Sequence, residues 1–363
     1  MAILKKENRR VFSVIIRIFS LFVALFLVIF AVSLGLFIRF NSPARDTAAF
    51  SQQDGITQAD DGAWHIDVRR GESSQSVGLR LERAGLISSR FFWNLFCRIE
   101  KEPVKSGAYR LEMPASQVAI HRLLVSGRQI LHRITIPEGV TLKKAARILE
   151  EAGICPAEDF LEAARDTNII NLYRIPNSSM EGYLFPDTYL FPAEYPASRA
   201  VMSMADNFFS RIKNIDPSAA DLSPQELNEK VIIASIVERE YRVAEEAPLM
   251  AGVFYNRLGI NMALQSCATV EYVITEIQDK PHPAVLYNRD LEIRDPYNTY
   301  IMPGLPPGPI SAPGAVALRA AMFPQNNDFL YFRLDNPLNG KHYFSRTLDE
   351  HIRAGQLIPK GSS

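Results

Sequence analysis

Val231-Ile-Ile-Ala-Ser-Ile-Val-Glu-Arg-Glu240 is the stretch on which the reading of this chain turns. Between Val231 and Val237 only Ser235 is polar, and two carboxylates, Glu238 and Glu240, close the run. Just upstream, Ser223-Pro224-Gln225-Glu226 has the form of a capping box, with proline at the first helical position, where its missing N–H costs nothing. These signals predict a helix from Pro224 to about Arg242, apolar nearly all round and therefore buried on several sides. At about 100° per residue, Glu238 and Glu240 point about 160° apart and cannot share one face. Periodicity does not choose between them. Either would lie near apolar surface and near a negative helix end, both of which favour the protonated carboxyl that a general acid needs. The plainer alternative is a pair of solvated residues on a fraying last turn.

Outward from that helix the sequence is punctuated in blocks. Helices are predicted over residues 198–214, 247–258 and 315–321, and a hairpin around Asn339-Gly340 joins Phe329–Leu334 to His342–Phe344. Glu181–Pro192 (EGYLFPDTYLFP) reads as a rigid loop or short hairpin that projects an aromatic surface. Pro303–Pro309 is dense in proline and glycine. Toward the N-terminus lies an internal repeat. VRRGESSQSVGLRLERAGLISSRFF from Val68 aligns at constant offset with IPEGVTLKKAARILEEAGICPAEDF from Ile136. Each copy predicts a strand, a turn at Gly71 or Gly139, and a helix capped by Ser73 or Thr141 that closes at Gly85 or Gly153. Two such strand–helix units suggest a small α/β module similar to LysM, or a structural spacer.

Ile18–Ile38 carries no charge over a length that spans about 30 Å of hydrocarbon. Lys5, Lys6, Arg9, Arg10 and Arg17 precede it, so the expected orientation is N-terminus in the cytoplasm and the body of about 300 residues outside. Ala31-Val32-Ser33 falls inside the apolar run rather than after it, which favours an uncleaved anchor over a signal peptide. Residues 41–62 are polar and small and read as a linker. The expected organisation is therefore a cytoplasmic tail and anchor (1–40), a linker (41–62), an α/β module (63–160) and a helix-rich domain (161–363).

Composition excludes several classes. Forty basic residues balance forty acidic ones, so no basic field points to nucleic acid. Three scattered cysteines (Cys97, Cys155, Cys267) make no disulfide framework, and six histidines without ligand spacing imply no metal site.

The segment SIVERE resembles the signature of the membrane-bound endolytic murein transglycosylases, the MltG or YceG-like family. Further motifs fall in that family's order: KSGAYR (105–110), IPEGVT (136–141), EGYLFPDTY (181–189), VFYNRL (253–258), MALQS (262–266), YNTY (297–300), GLPPGPI (304–310) and HYFS (342–345). The resemblance implies an α+β protein: a transmembrane helix, a LysM-like module with the βα repeat, and a helix-rich transglycosylase domain with loop and hairpin inserts. It implies Glu240 as the catalytic acid and base, no cofactor and no metal. It also implies cleavage of the MurNAc–GlcNAc bond of nascent peptidoglycan strands to leave 1,6-anhydroMurNAc ends, which would terminate strand growth. Peptidoglycan strands, the membrane and peptidoglycan synthases are the implied partners, and nucleic acid is not among them. Expected sugar contacts are Gln265, Tyr297, Asn298 and Tyr300, with stacking from Tyr183 and Phe185; for the tyrosines, packing is the alternative. Two positions depart from the family pattern. Tyr241 stands where a small hydroxyl residue usually follows the acid, and Cys267-Ala268 stands where an Asp-Pro pair is more usual. The competing readings are a hydrolytic muramidase with Glu238 or Glu292 as second carboxylate, and a non-catalytic wall-binding scaffold.

Overall fold

A computed structural model describes residues 2–42, 55–59, 62–69, 71–336 and 338–357. The protein is mixed α+β, with three separate antiparallel sheets among the helices of the described residues. The first helix, α1 (Ala2–Asn41), contains the apolar stretch, and Phe19–Asn41 is long and apolar enough to cross a membrane. Most of the expected linker lies outside the described residues, but Ile56–Gln58 within it forms a strand, β1.

Contacts divide the chain between Ile130 and Leu131. In the first unit, β1, β2 (Trp64–Val68) and β3 (Gly107–Leu111) form an antiparallel sheet. Between β2 and β3 run α2 (Ser74–Arg83) and α3 (Arg90–Glu100), and α4 (Gln117–Ser126) follows. Strand β2 buries alternate residues, Trp64, Ile66 and Val68, as a one-sided strand must. They meet Leu81, Trp93, Tyr109 and Ile120 in one core. The end of α1 is fastened to this unit: Phe37 and Phe40 lie against the Phe92 ring, and Val118 N–H donates to Asn41 Oδ1 at 2.9 Å.

The second unit begins with β4 (Leu131–Thr135), α5 (Leu142–Glu151), α6 (Ala157–Ala163) and α7 (Thr167–Leu172). Strand β5 (Thr188–Pro192) pairs with β4, and α8 (Ala197–Ile215) leads to α9 (Pro224–Glu240). Then come α10 (Ala247–Gly259), α11 (Cys267–Tyr272) continued by a π turn over Val273–Ile277, and α12 (Asn288–Leu291). The unit ends with α13 (Ala315–Met322), the hairpin β6 (Tyr331–Asn336) and β7 (Lys341–Ser345), and α14 (Leu348–Leu357).

Both copies of the sequence repeat fold as read locally. Ser73 and Thr141 accept from backbone N–H three residues on, and Gly85 and Gly153 sit at φ +75° and +68°. Their surroundings correct the expected module over 63–160. The second copy, β4 and α5, belongs to the second unit, because Ile134, Ile136, Leu142, Ala146 and Leu149 pack in its core. The strands are antiparallel, so the two copies do not build one α/β sheet.

Helix α9 is the axis of the second unit. Its capping box is formed, with Glu226 N–H donating to Ser223 Oγ and Ser223 N–H donating to Glu226 Oε2. Every residue from Val231 to Val237 is buried, and α9 packs on α13, α10 and α11. That all-round burial follows from the absence of a polar face. The stretch 181–192 corrects another expectation: Tyr183, Phe185, Tyr189 and Phe191 are buried rather than projecting.

Candidate active site

Glu240 is the last residue of α9, and Tyr241 turns the chain into an extended conformation beyond it. Its carboxyl opens on a cavity of about 490 Å³ walled by the end of α9, the start of α11, the β6–β7 hairpin and α14. Among the described residues, Glu240 is the single carboxylate on the cavity wall. Ser266 Oγ donates to Glu240 Oε1 at 2.5 Å. Burial pushes the Glu240 pKa above the ordinary carboxylate range. The Ser266 hydroxyl and the charges of His342 and Arg239 oppose that rise, while Glu271 adds to it.

The loop that carries Ser266 is held rigidly. Ser266 N–H donates to Thr299 Oγ1, Thr269 Oγ1 donates to the Ser266 carbonyl at 2.7 Å, and the two threonine hydroxyls lie 2.9 Å apart. Gln265, adjacent, holds φ +51°, a left-handed conformation that a non-glycine residue adopts at a cost. Gln265 and Tyr300 line the cavity, and Tyr300 Oη lies 3.1 Å from Cys267 Sγ.

The other expected contacts are elsewhere. Asn298 is fully buried; its Nδ2 donates to the carbonyls of Leu291 and Ile293, and its Oδ1 accepts from Tyr300 N–H. Its amide folds the turn that presents Tyr300 instead of facing sugar. Tyr297 packs on Tyr272 at 5.0 Å between ring centroids. Tyr183 donates its hydroxyl to Asn228 Oδ1 in the core, and the Phe185 ring sits under the Arg211 guanidinium. None of these four lines the Glu240 cavity. The aromatic density of 181–189 marks core, because a run with little polar content at its inward positions buries more area than it can leave wet.

Glu238 faces away from the cavity, as the helical geometry requires. Its Oε2 accepts from Gly314 N–H at 2.8 Å, and burial pushes its pKa up to about 7. The Tyr241 hydroxyl serves Glu238, so it leaves the cavity as well. The hydroxyl that meets the Glu240 carboxyl belongs to Ser266, 26 residues further along the chain. Glu292 is exposed and outside the cavity.

Sequence reasoning left several cavity residues without a role. His342 on β7 has Nδ1 2.8 Å from Glu246 Oε2, and its backbone N–H donates to the same carboxylate. Arg257 on α10 donates to the carbonyls of Leu330 and Leu264, each at 2.6 Å. Arg239, Arg242 and Arg333 complete a strongly cationic wall. Arg257 and His342 stand in the VFYNRL and HYFS motifs, which was the one signal available for them. Among the described residues, no three His, Cys, Asp or Glu side chains are grouped to hold a metal ion.

Residues 66–356 match the profile of the YceG-like family. The chain belongs to that family. A relative in Streptococcus pneumoniae, named endolytic murein transglycosylase, is 30% identical over 318 residues, which are 79% of this chain and 57% of that protein. This chain therefore spans little more than half the length of that relative. A Bacillus subtilis protein of the same name is 29% identical over 314 residues, covering 80% of this chain and 83% of its own. Among solved structures, the crystal structure of a yceG-like protein from Listeria monocytogenes matches with a TM-score of 0.53 and 29% identity. That match covers 80% of this chain and 98% of the Listeria chain. Within the YceG-like family motif the second glutamate of SIVERE is Glu240, the carboxylate that opens on the cavity.

Proposed function

We propose that this protein is a membrane-anchored lytic transglycosylase of peptidoglycan in which Glu240 acts first as acid and then as base. The observation that carries this reading is the part-buried Glu240 carboxyl, the single carboxylate among the described residues on the wall of a ligand-sized cavity. Burial favours the protonated carboxyl, and the glycosidic oxygen O4 of GlcNAc takes that proton as its bond to C1 of MurNAc breaks. Positive charge develops at C1. The C6 hydroxyl of the same MurNAc attacks C1, and its proton passes to the Glu240 carboxylate. One C–O bond is broken, one is formed, and the proton returns to where it began, so no water is consumed. Ser266 holds the carboxylate in place between the two transfers. A hydrolytic muramidase would need a second carboxylate to activate water, and among the described residues the cavity wall offers none besides Glu240. The names of the pneumococcal and Bacillus relatives support the same substrate class.

Further parts of the reading extend from this centre. In the first unit, β2, α2, α3 and β3 follow in the order strand, helix, helix, antiparallel strand, which supports a LysM-like wall-binding role. The second unit is the catalytic body. Helix α1 is the single-pass anchor, with the basic N-terminus cytoplasmic and the body on the outer side. Cleavage of nascent strands beside the membrane would end their elongation, in company with peptidoglycan synthases. The test is mass spectrometry of purified murein treated with the detergent-solubilised chain. The expected result is 1,6-anhydroMurNAc ends from the wild type and none from Glu240→Gln. Reducing MurNAc ends from the wild type would overturn the reading.

A further inference from the structure

The cavity that holds Glu240 carries far more positive charge than Glu240 can balance. Among the described residues four arginines line it, and only Arg239 forms an ion pair there, with Glu271 at 2.9 Å. Arg257 is 6% exposed and spends its Nε and Nη1 on backbone carbonyls, while its Nη2 makes no hydrogen bond among the described residues. Arg333, on β6, forms no ion pair among the described residues, and its Nε is buried without a hydrogen-bond partner. A buried donor left unpaired costs free energy that a ligand can recover. The Arg333 guanidinium lies in the space beside Gly355 of α14, where any side chain would displace it. His351, on the same helix, has a buried Nδ1 with no partner, and burial together with the charges of Arg333 and Arg257 lowers its pKa. His351 thus shares the cavity wall with Arg257 and Arg333, and its lowered pKa disfavours a further positive charge beside them. Arg242 stands exposed at the rim.

We propose that Arg333 and Arg257, with Arg242 at the rim, form a carboxylate-binding subsite in the Glu240 cavity, which selects acidic murein strands over neutral glycans. The inference rests on the reading of the cavity as a glycan-cleaving site and adds to it the charge of the substrate. Two groups on murein offer this chemistry: the free lactyl carboxylate of a MurNAc without peptide, and the carboxylates of a stem peptide. Planar guanidinium groups hold either one through paired, charge-assisted hydrogen bonds.

The experiment measures binding, so it does not depend on turnover. Full-length Glu240→Gln protein in detergent is titrated with three oligomers of equal sugar number: a neutral chitooligosaccharide, a murein glycan with free lactyl carboxylates, and the same glycan carrying stem peptides. At least one acidic oligomer should bind roughly tenfold tighter than the neutral one. Preference for the naked strand assigns the lactyl carboxylate, and preference for the peptide-bearing strand assigns the stem. Adding Arg333→Gln should abolish the preference while affinity for the neutral oligomer stays, and Arg333→Lys should restore part of it. Gly355→Ala, which displaces the guanidinium without removing it, should have the same effect as Arg333→Gln and covers the case in which that variant does not fold. Equal affinity for all three oligomers, absence of saturable binding, or a preference that survives both Arg333→Gln and Gly355→Ala would overturn the subsite. If Glu240→Gln protein still cleaved murein, the catalytic reading would fall, while the comparison of acidic with neutral oligomers would still decide the subsite.

Discussion

Ser266 Oγ donates to Glu240 Oε1 at 2.5 Å, and that hydroxyl opposes the burial which raises the Glu240 pKa. Glu240 is thus held between two tendencies. Burial favours the protonated carboxyl, and the Ser266 hydroxyl favours the carboxylate.

Ser266→Ala removes the second tendency. The Glu240 pKa rises further, so the alkaline limb of the pH–kcat/KM profile should move to higher pH. Turnover at neutral pH should fall roughly three- to tenfold as the carboxyl loses its orientation. Release of soluble fragments from labelled murein across pH 5–9 measures both. An alkaline limb that stays where it is would refute the role given to Ser266.

Glu238→Ala separates structure from chemistry. Gly314 N–H loses its acceptor, at a cost of about 1–3 kcal/mol, and Tm should fall accordingly. Turnover of the folded protein should stay within about fivefold of wild type. A loss comparable to that of Glu240→Gln would show that the wrong glutamate had been assigned.

Glu181 makes stability depend on pH. It is 6% exposed, and burial pushes its pKa up to about 8, against the hydrogen bonds from Leu142 N–H to both carboxyl oxygens. The unfolded chain ionises this group near its ordinary 4.5. The unfolded state therefore binds fewer protons between pH 4.5 and 8, and stability falls with rising pH across that window. Glu181→Gln should flatten the slope. Its urea midpoint should gain on wild type from pH 5 to pH 8 by an amount worth on the order of 3 kcal/mol. Parallel curves for the two proteins would show that the carboxyl is ionised in the fold.

Gly182→Ala should be severely destabilising. Gly182 sits at φ +82°, and a methyl group there would strike the Pro309 ring with Val231 of α9 close behind. The two penalties together are about 2–4 kcal/mol, which thermal melting would read directly. An unchanged Tm would mean that the 304–309 loop yields easily and does not brace α9.

Much of the scaffold was legible because its causes are local. The Ser223 cap, Pro224 at the helix start, the apolar run to Val237 and the glycine C-caps of the repeat each depend on a few adjacent residues. The opposite directions of Glu238 and Glu240 followed from helical geometry alone. What was not legible depends on partners far along the chain. Asn298 in a proline- and glycine-rich region looked like a ligand contact, but carbonyls of Leu291 and Ile293 claim its amide. Tyr183 and Phe185 looked like a stacking surface, yet α8 and α9 cover them with Phe208 and Asn228. Arg333 and His351 gave no local signal, because only the approach of β6 and α14 to the end of α9 makes them part of one cavity.

The two copies of the repeat were cut from one pattern but answer to different cores, one centred on Trp64 and Trp93, the other on α9. No buried residue belongs to both cores. Calorimetry of the whole chain should therefore show two heat-absorption peaks instead of one, with only the second responding to a substitution at Gly182. A gene cut between the codons for Ile130 and Leu131 should accordingly yield two polypeptides that each fold unaided, and the downstream piece would keep Glu240 in working order.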